Sequence, residues 1–161
     1  MESRAKLFGH PIHQMLIVFP LGLLATALLF DIGYLATADG YWAEISFWMI
    51  VAGVLGGLLA APFGLVDWLA IPPKTRAKRI GALHGLGNVV VVGLYGASWL
   101  IRMDAPGAPE TLALVLSFSG GGLALVTAWL GGELVDRLAV GVDDGAHLDA
   151  PSSLRTKHAR G

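Results

Sequence analysis

No cysteine occurs in the chain. Structural disulfides, thiolate zinc sites and an internal iron–sulfur cluster are therefore excluded, and any metal must be held by nitrogen and oxygen donors. Charge is scarce as well: 14% of the residues are Asp, Glu, Lys or Arg, and the formal net charge is -1. That balance predicts no nucleic-acid partner, because the few basic residues cluster at loops and tails and form no amphipathic basic face. No catalytic nucleophile arrangement is visible either. Ser117 and Ser119 fall far from every histidine, and no glycine-rich phosphate loop follows a strand. Enzymatic activity is left open only through a bound metal or redox cofactor.

What the chain has instead is apolar length. Hydrophobic residues make up 55% of its 161 residues, and the mean hydropathy is +0.65, a balance foreign to a soluble domain. Crossing a hydrocarbon core of about 30 Å takes roughly 20 apolar residues at about 1.5 Å rise each. Four stretches meet that requirement: 14–35, 42–70, 80–101 and 110–135. The predicted fold is all-α, an integral membrane four-helix bundle made of two helical hairpins. Residues 1–140 form the four-span domain and 141–161 a polar tail with turn formers Gly141, Gly145 and Pro151. A signal peptide competes for the first span, since Arg4 and Lys6 precede it and Ala25-Thr26-Ala27 resembles a cleavage site. Apolar sequence continues about two turns past Ala27, so a retained span is expected.

Basic residues orient the bundle. Arg4 and Lys6 precede span one, Lys74, Arg76, Lys78 and Arg79 join spans two and three, and Arg137, Arg155, Lys157 and Arg160 follow span four. The other two connections hold Arg102 alone. The positive-inside rule then places both termini and the middle loop in the cytoplasm. Aromatic anchors agree, with Tyr34, Tyr41, Trp42, Phe47, Trp48 and Trp99 at the outward ends and Trp68 and Trp129 near the inward ends.

Helices in lipid associate through close backbone approach and interhelical hydrogen bonds. Small residues four apart supply the approach: Gly53 and Gly57, Ala60 and Gly64 on span two, Gly81 and Gly85, Gly93 and Ala97 on span three. Span four carries Gly120-Gly121-Gly122 near its middle. Packing grooves are one reading of these glycines, and room for a flat cofactor beside His84 is the other. Pro20 and Pro62 are expected to kink spans one and two.

The polar residues inside the spans carry the functional question. Five of them reach the inner boundary on four helices: His10 and His13 at the start of span one, Asp67 near the end of span two, His84 one turn into span three, and Glu133 near the end of span four. Asn88 shares the face of His84 at i+4. Exposing ionised groups to lipid costs roughly 2.5–3.5 kcal/mol or more each, which drives them toward the bundle interior. His10, His13, Asp67, His84 and Glu133 are therefore the candidate metal ligands, and His13, His84 and Asn88 the candidate cofactor-binding set. Each has a structural alternative: Glu133 paired with Arg137, Asp67 with Lys74 or Arg76, His10 as a helix cap, His84 bonded to Asn88 or another helix. Asp31 lies near the outer face, where an interhelical hydrogen bond or a proton relay would account for it. His147 and His158 sit in the tail and read as solvated. The two hairpins also echo each other, each opening with a histidine and closing with an acid, as a duplicated two-span unit about an axis along the membrane normal would.

The string Gly9-His10-Pro11-Ile12-His13, followed by Phe19-Pro20-Leu21-Gly22, Asp31, Gly64, Asp67, His84, Gly131-Gly132-Glu133-Leu134-Val135 and Gly141-Val142, resembles a bacterial family of predicted four-helix membrane proteins, domain-of-unknown-function family 2231. The resemblance covers nearly the whole chain and implies this fold in the bacterial inner membrane. Where that family usually has proline after the second histidine, this chain has Gln14. Relatives joined to Rieske-type domains imply electron transfer by association.

Three functions remain in competition. The first is a transition-metal ion (Zn, Fe, Mn or Cu) or a b-type haem bound by imidazole, with carboxylates favouring the ion. It implies a redox partner protein alongside the lipid bilayer and leaves a homo-oligomer open. The second is a scaffold or accessory subunit whose polar cluster is a structural hydrogen-bond network. The third, an ion pathway from Asp31 to the inner cluster, lacks polar residues along its course.

Overall fold

The computed structural model describes residues 1–155, so His158, Lys157 and Arg160 lie outside the described residues. A short antiparallel hairpin, β1 (Lys6–Leu7) and β2 (His10–Pro11), precedes the helices α1 (Ile12–Leu16), α2 (Val18–Thr37), α3 (Gly40–Ala70), α4 (Arg76–Arg102) and α5 (Thr111–Gly132). A π-helical turn over Glu133–Arg137 extends α5. Counting α1 with α2, four helical segments are long and apolar enough to cross a membrane.

Local chemistry sets the ends. Pro20 has no amide proton, and its ring collides with the carbonyl four residues back, that of Leu16, where α1 stops. The expected kink of span one is thus a break at Ile17. Pro62, by contrast, is accommodated inside an unbroken α3. Asp39 caps α3 by accepting from the Tyr41 amide at 3.0 Å, and Thr75 caps α4 by accepting from the Lys78 amide at 3.1 Å. Helix α4 starts one turn before the expected span because Thr75 provides that cap.

The four segments pack as two hairpins, α1/α2 with α3 and α4 with α5, joined most closely where α3 meets α4. Leu24, Ala27, Ile50, Val54, Val91 and Tyr95 form the central core. Large apolar side chains such as Leu29, Leu58, Val89 and Leu125 point outward instead, as a lipid-facing belt does.

The hairpins repeat each other in several contacts. Tyr95 donates its hydroxyl proton to the carbonyl of Leu24, and Arg102 pairs with Asp31; both pairs are separated by 71 residues. His13 and His84 have the same separation. Gly53 of α3 lies against Leu24 and Leu23, and Gly120 of α5 lies against Tyr95 and Leu94, the counterparts at the same spacing. Equivalent residues of the first and second hairpins thus face one another across a pseudo-twofold axis between α2 and α4, which run in the same direction.

Candidate functional site

Two polar centres lie on that axis, one toward each end of the bundle. The centre nearer the α2–α3 and α4–α5 turns was only half visible beforehand, because Arg102 reads as a loop residue. It is in fact the last residue of α4 and is fully buried, as is Asp31. The guanidinium grips the carboxylate with two parallel bonds, Nη1 to Oδ1 at 2.8 Å and Nη2 to Oδ2 at 2.7 Å. Nε donates to Ser98 Oγ at 3.1 Å, Nη1 to Ser46 Oγ at 3.4 Å and Nη2 to Ser117 Oγ at 3.0 Å. All five guanidinium N–H groups are thereby used, and every one of the four spans contributes a side chain. Ser98 also donates to the Ala113 carbonyl at 2.7 Å. Charge neutrality and complete hydrogen bonding are what an ion pair requires to survive away from water.

The other centre contains the two imidazoles. His13 Nδ1 is 3.0 Å from the Ala60 carbonyl of α3, and His84 Nδ1 is 2.9 Å from the Thr127 carbonyl of α5. A carbonyl only accepts, so each Nδ1 carries a proton, and the ring nitrogen left to present a lone pair in the neutral tautomer is Nε2. The match extends to the next helical turn. The His13 ring rests against Gly64, where a Cβ would approach Cε1 to 2.8 Å, and the His84 ring rests against Gly131, where it would approach Cε1 to 3.1 Å. Gly64 and Gly131 each sit four residues after the accepting carbonyl.

His13 and Asp31 are 18 residues apart, and so are His84 and Arg102, where the interval is five full turns at 3.6 residues each. On the unbroken α4 this spacing puts His84 and Arg102 on one helix face. The symmetry is broken at Asn88, whose side-chain amide donates to the His84 carbonyl at 3.0 Å and lies 3.2 Å from His84 Nε2, while its oxygen accepts from Thr127 Oγ1 at 2.9 Å. His13 Nε2 has no hydrogen-bond partner among the described residues.

The remaining candidates are held elsewhere. Asp67 accepts from Ser3 Oγ with both oxygens at 2.8 Å and from the Arg4 amide at 2.7 Å, fastening the segment that precedes β1. Glu133 pairs with Arg76 at 2.6 Å instead of with Arg137. It lines an open cleft of about 290 Å³ with Trp129, Gly132, Asp136 and Arg137. His10 is exposed on β2, its Nε2 3.4 Å from Ser153 Oγ. Five residues at one depth thus resolve into an imidazole pair and three separate attachments. Among the described residues, no group of three or more His, Cys, Asp or Glu side chains stands close enough to hold a metal ion. Depth was readable from position along a helix, whereas the direction of each side chain around its helix was not. Outside the spans, the Lys6 ammonium bonded to Glu2 holds that carboxyl below its ordinary range, and the carboxylate in turn raises Lys6.

No curated protein and no solved structure matches the chain. A family described as predicted membrane protein, DUF2231, matches it over residues 9–144, from the residue before His10 to beyond the π-helical turn and so across both polar centres. With four candidate spans and a match over most of its length, the chain belongs to the DUF2231 family of predicted membrane proteins.

Proposed function

We propose that the protein is a redox subunit of the bacterial inner membrane in which His13 and His84 would hold a b-type haem. The observation that carries this reading is the matched placement of the two rings: each Nδ1–H is bonded to a carbonyl of the neighbouring helix, which leaves Nε2 to ligate, on His84 once the Asn88 amide turns away from it. Such a bond is the usual device for fixing a ligating imidazole. With Asp67 and Glu133 committed to other partners, the donor set is two nitrogens. Structural zinc takes four protein ligands and catalytic zinc three, whereas haem iron needs only its axial pair from the protein. That count favours haem over the non-haem ion that the carboxylates suggested. A haem held by these two imidazoles would supply electron transfer to a partner protein. Asn88 adjusts the electronics or access of the His84 side.

The same reading puts the imidazoles toward the cytoplasm. Arg4, Lys6, Lys74, Arg76, Lys78, Arg79 and Arg137 gather at their end, while Arg102, the one Lys or Arg toward the other end among the described residues, is neutralised by Asp31. The short connections at that end carry Asp39, Asp104 and Glu110. This is the asymmetry that the positive-inside rule requires of cytoplasmic termini, and residues 141–161 are then a cytoplasmic tail.

A second reading, a non-catalytic accessory subunit, is favoured by one observation. Every buried side-chain nitrogen and oxygen among the described residues has a hydrogen-bond partner within the chain. Purification from the native membrane, followed by an absorption spectrum and elemental analysis, separates the two. A Soret band with about one iron per chain supports the haem reading. A featureless spectrum with no bound metal supports the accessory subunit.

A further inference from the structure

The two hairpins present equivalent faces to each other, yet the residues that meet at the buried end of the axis carry opposite charges: Asp31 on the first hairpin and Arg102 on the second. We infer that this pair is a recognition code, through which the first hairpin accepts as its partner only a two-span hairpin bearing a cation at the position equivalent to Asp31.

Because the hairpins bury equivalent faces, the packing that joins unlike hairpins would also serve like ones: the Leu24 and Tyr95 contacts and the Gly53 and Gly120 contacts are variations of one pattern. Two first hairpins from separate copies would bring two carboxylates together at a site with no exposure to solvent, and two second hairpins would bring two guanidiniums together. Buried like charges are heavily penalised, and that repulsion discriminates among otherwise similar pairings. The supporting serines sharpen the code, since they have no duplicates. Ser98, Ser46 and Ser117 correspond to Ala27, Ala113 and Ile50 in the other hairpin. Only the unlike pairing places three hydroxyls around the guanidinium.

Full-length charge reversals test this independently of any cofactor. In Asp31→Arg both hairpins carry arginine, and in Arg102→Asp both carry aspartate. Each variant alone is expected to shift its folding equilibrium by on the order of a hundredfold or more and to lose the monodisperse species seen by size exclusion in detergent. The doubly reversed chain, D31R/R102D, restores opposite charges in cis. Differently tagged D31R and R102D chains made in one cell restore them in trans, each hairpin finding its complement on the other chain. Recovery of a stable monodisperse species by either route supports the code, and a mixed complex from the co-expressed chains supports it most strongly. Single reversals as stable as the parent chain, or recovery by neither route, would overturn it.

Discussion

Removing the Asp31 carboxylate leaves Arg102 fully buried with three hydroxyls and no counter-charge. An alanine there abolishes the two bonds at 2.8 and 2.7 Å and opens a void beneath the guanidinium. Breaking a buried pair by deleting one partner typically costs about 3–5 kcal/mol. For a domain of this size each kcal/mol is worth roughly 2–4 °C, so Asp31→Ala is expected to lower the Tm by on the order of 10 °C or more. Replacing both residues by leucine behaves differently, because the desolvation penalty vanishes along with the attraction. Such replacements are neutral or stabilising by about 1–4 kcal/mol in soluble proteins, and D31L/R102L is expected to keep or exceed the parent Tm. Thermal melts in one detergent, read by circular dichroism and by loss of the monodisperse peak, compare the variants. An Asp31→Ala protein that melts with the parent would refute the claim that the pair is buried and interdependent.

Four further outcomes follow from the geometry. Gly64→Ala pushes a methyl group into the His13 ring, and so is expected to reduce cofactor content measured by absorbance, whereas Gly85→Ala, which meets nothing within 4 Å, leaves it unchanged. Asp67→Asn weakens the attachment of residues 3–5 by about 1.5–3 kcal/mol per charge-assisted hydrogen bond lost, seen as faster hydrogen exchange in that segment by mass spectrometry. Glu133→Gln breaks a partly exposed pair worth about 1 kcal/mol or less, so its melt should lie within a few degrees of the parent. The lowered Glu2 carboxyl contributes only above its unfolded pKa and is lost as pH falls through the folded value; the raised Lys6 contributes below its unfolded pKa and is lost as pH rises through the folded value. Limited proteolysis of the N-terminal segment should therefore be constant around neutral pH and increase at both extremes.

Span number and hairpin order were legible because bilayer crossing imposes a length on apolar runs, and the Leu16–Ile17 break follows from where Pro20 falls. The acid–base pair was not. Asp31 has no local partner, and Arg102 at the edge of an apolar run is indistinguishable by composition from a loop cation. A signal for it was present in the spacing: His13 to Asp31 equals His84 to Arg102 at 18 residues, so a duplicated unit sets the acid and the base opposite each other. The inner group was legible only in part. Glu133 and Asp67 do reach the depth of the histidines, but rotation about the helix axis carries one to Arg76 and the other to the segment before β1. His13 and His84 keep matching orientations because an acceptor carbonyl and a glycine recur on both partner helices.

The central claim is most directly tested by titrating haemin into the purified protein alongside His13→Ala, His84→Ala and the double variant. Saturation at one haem per chain is expected with a low-spin, six-coordinate spectrum, a high-spin spectrum in either single variant, and no specific uptake in the double. Equal uptake and identical spectra with and without the two imidazoles, or no uptake by the parent chain, would contradict it.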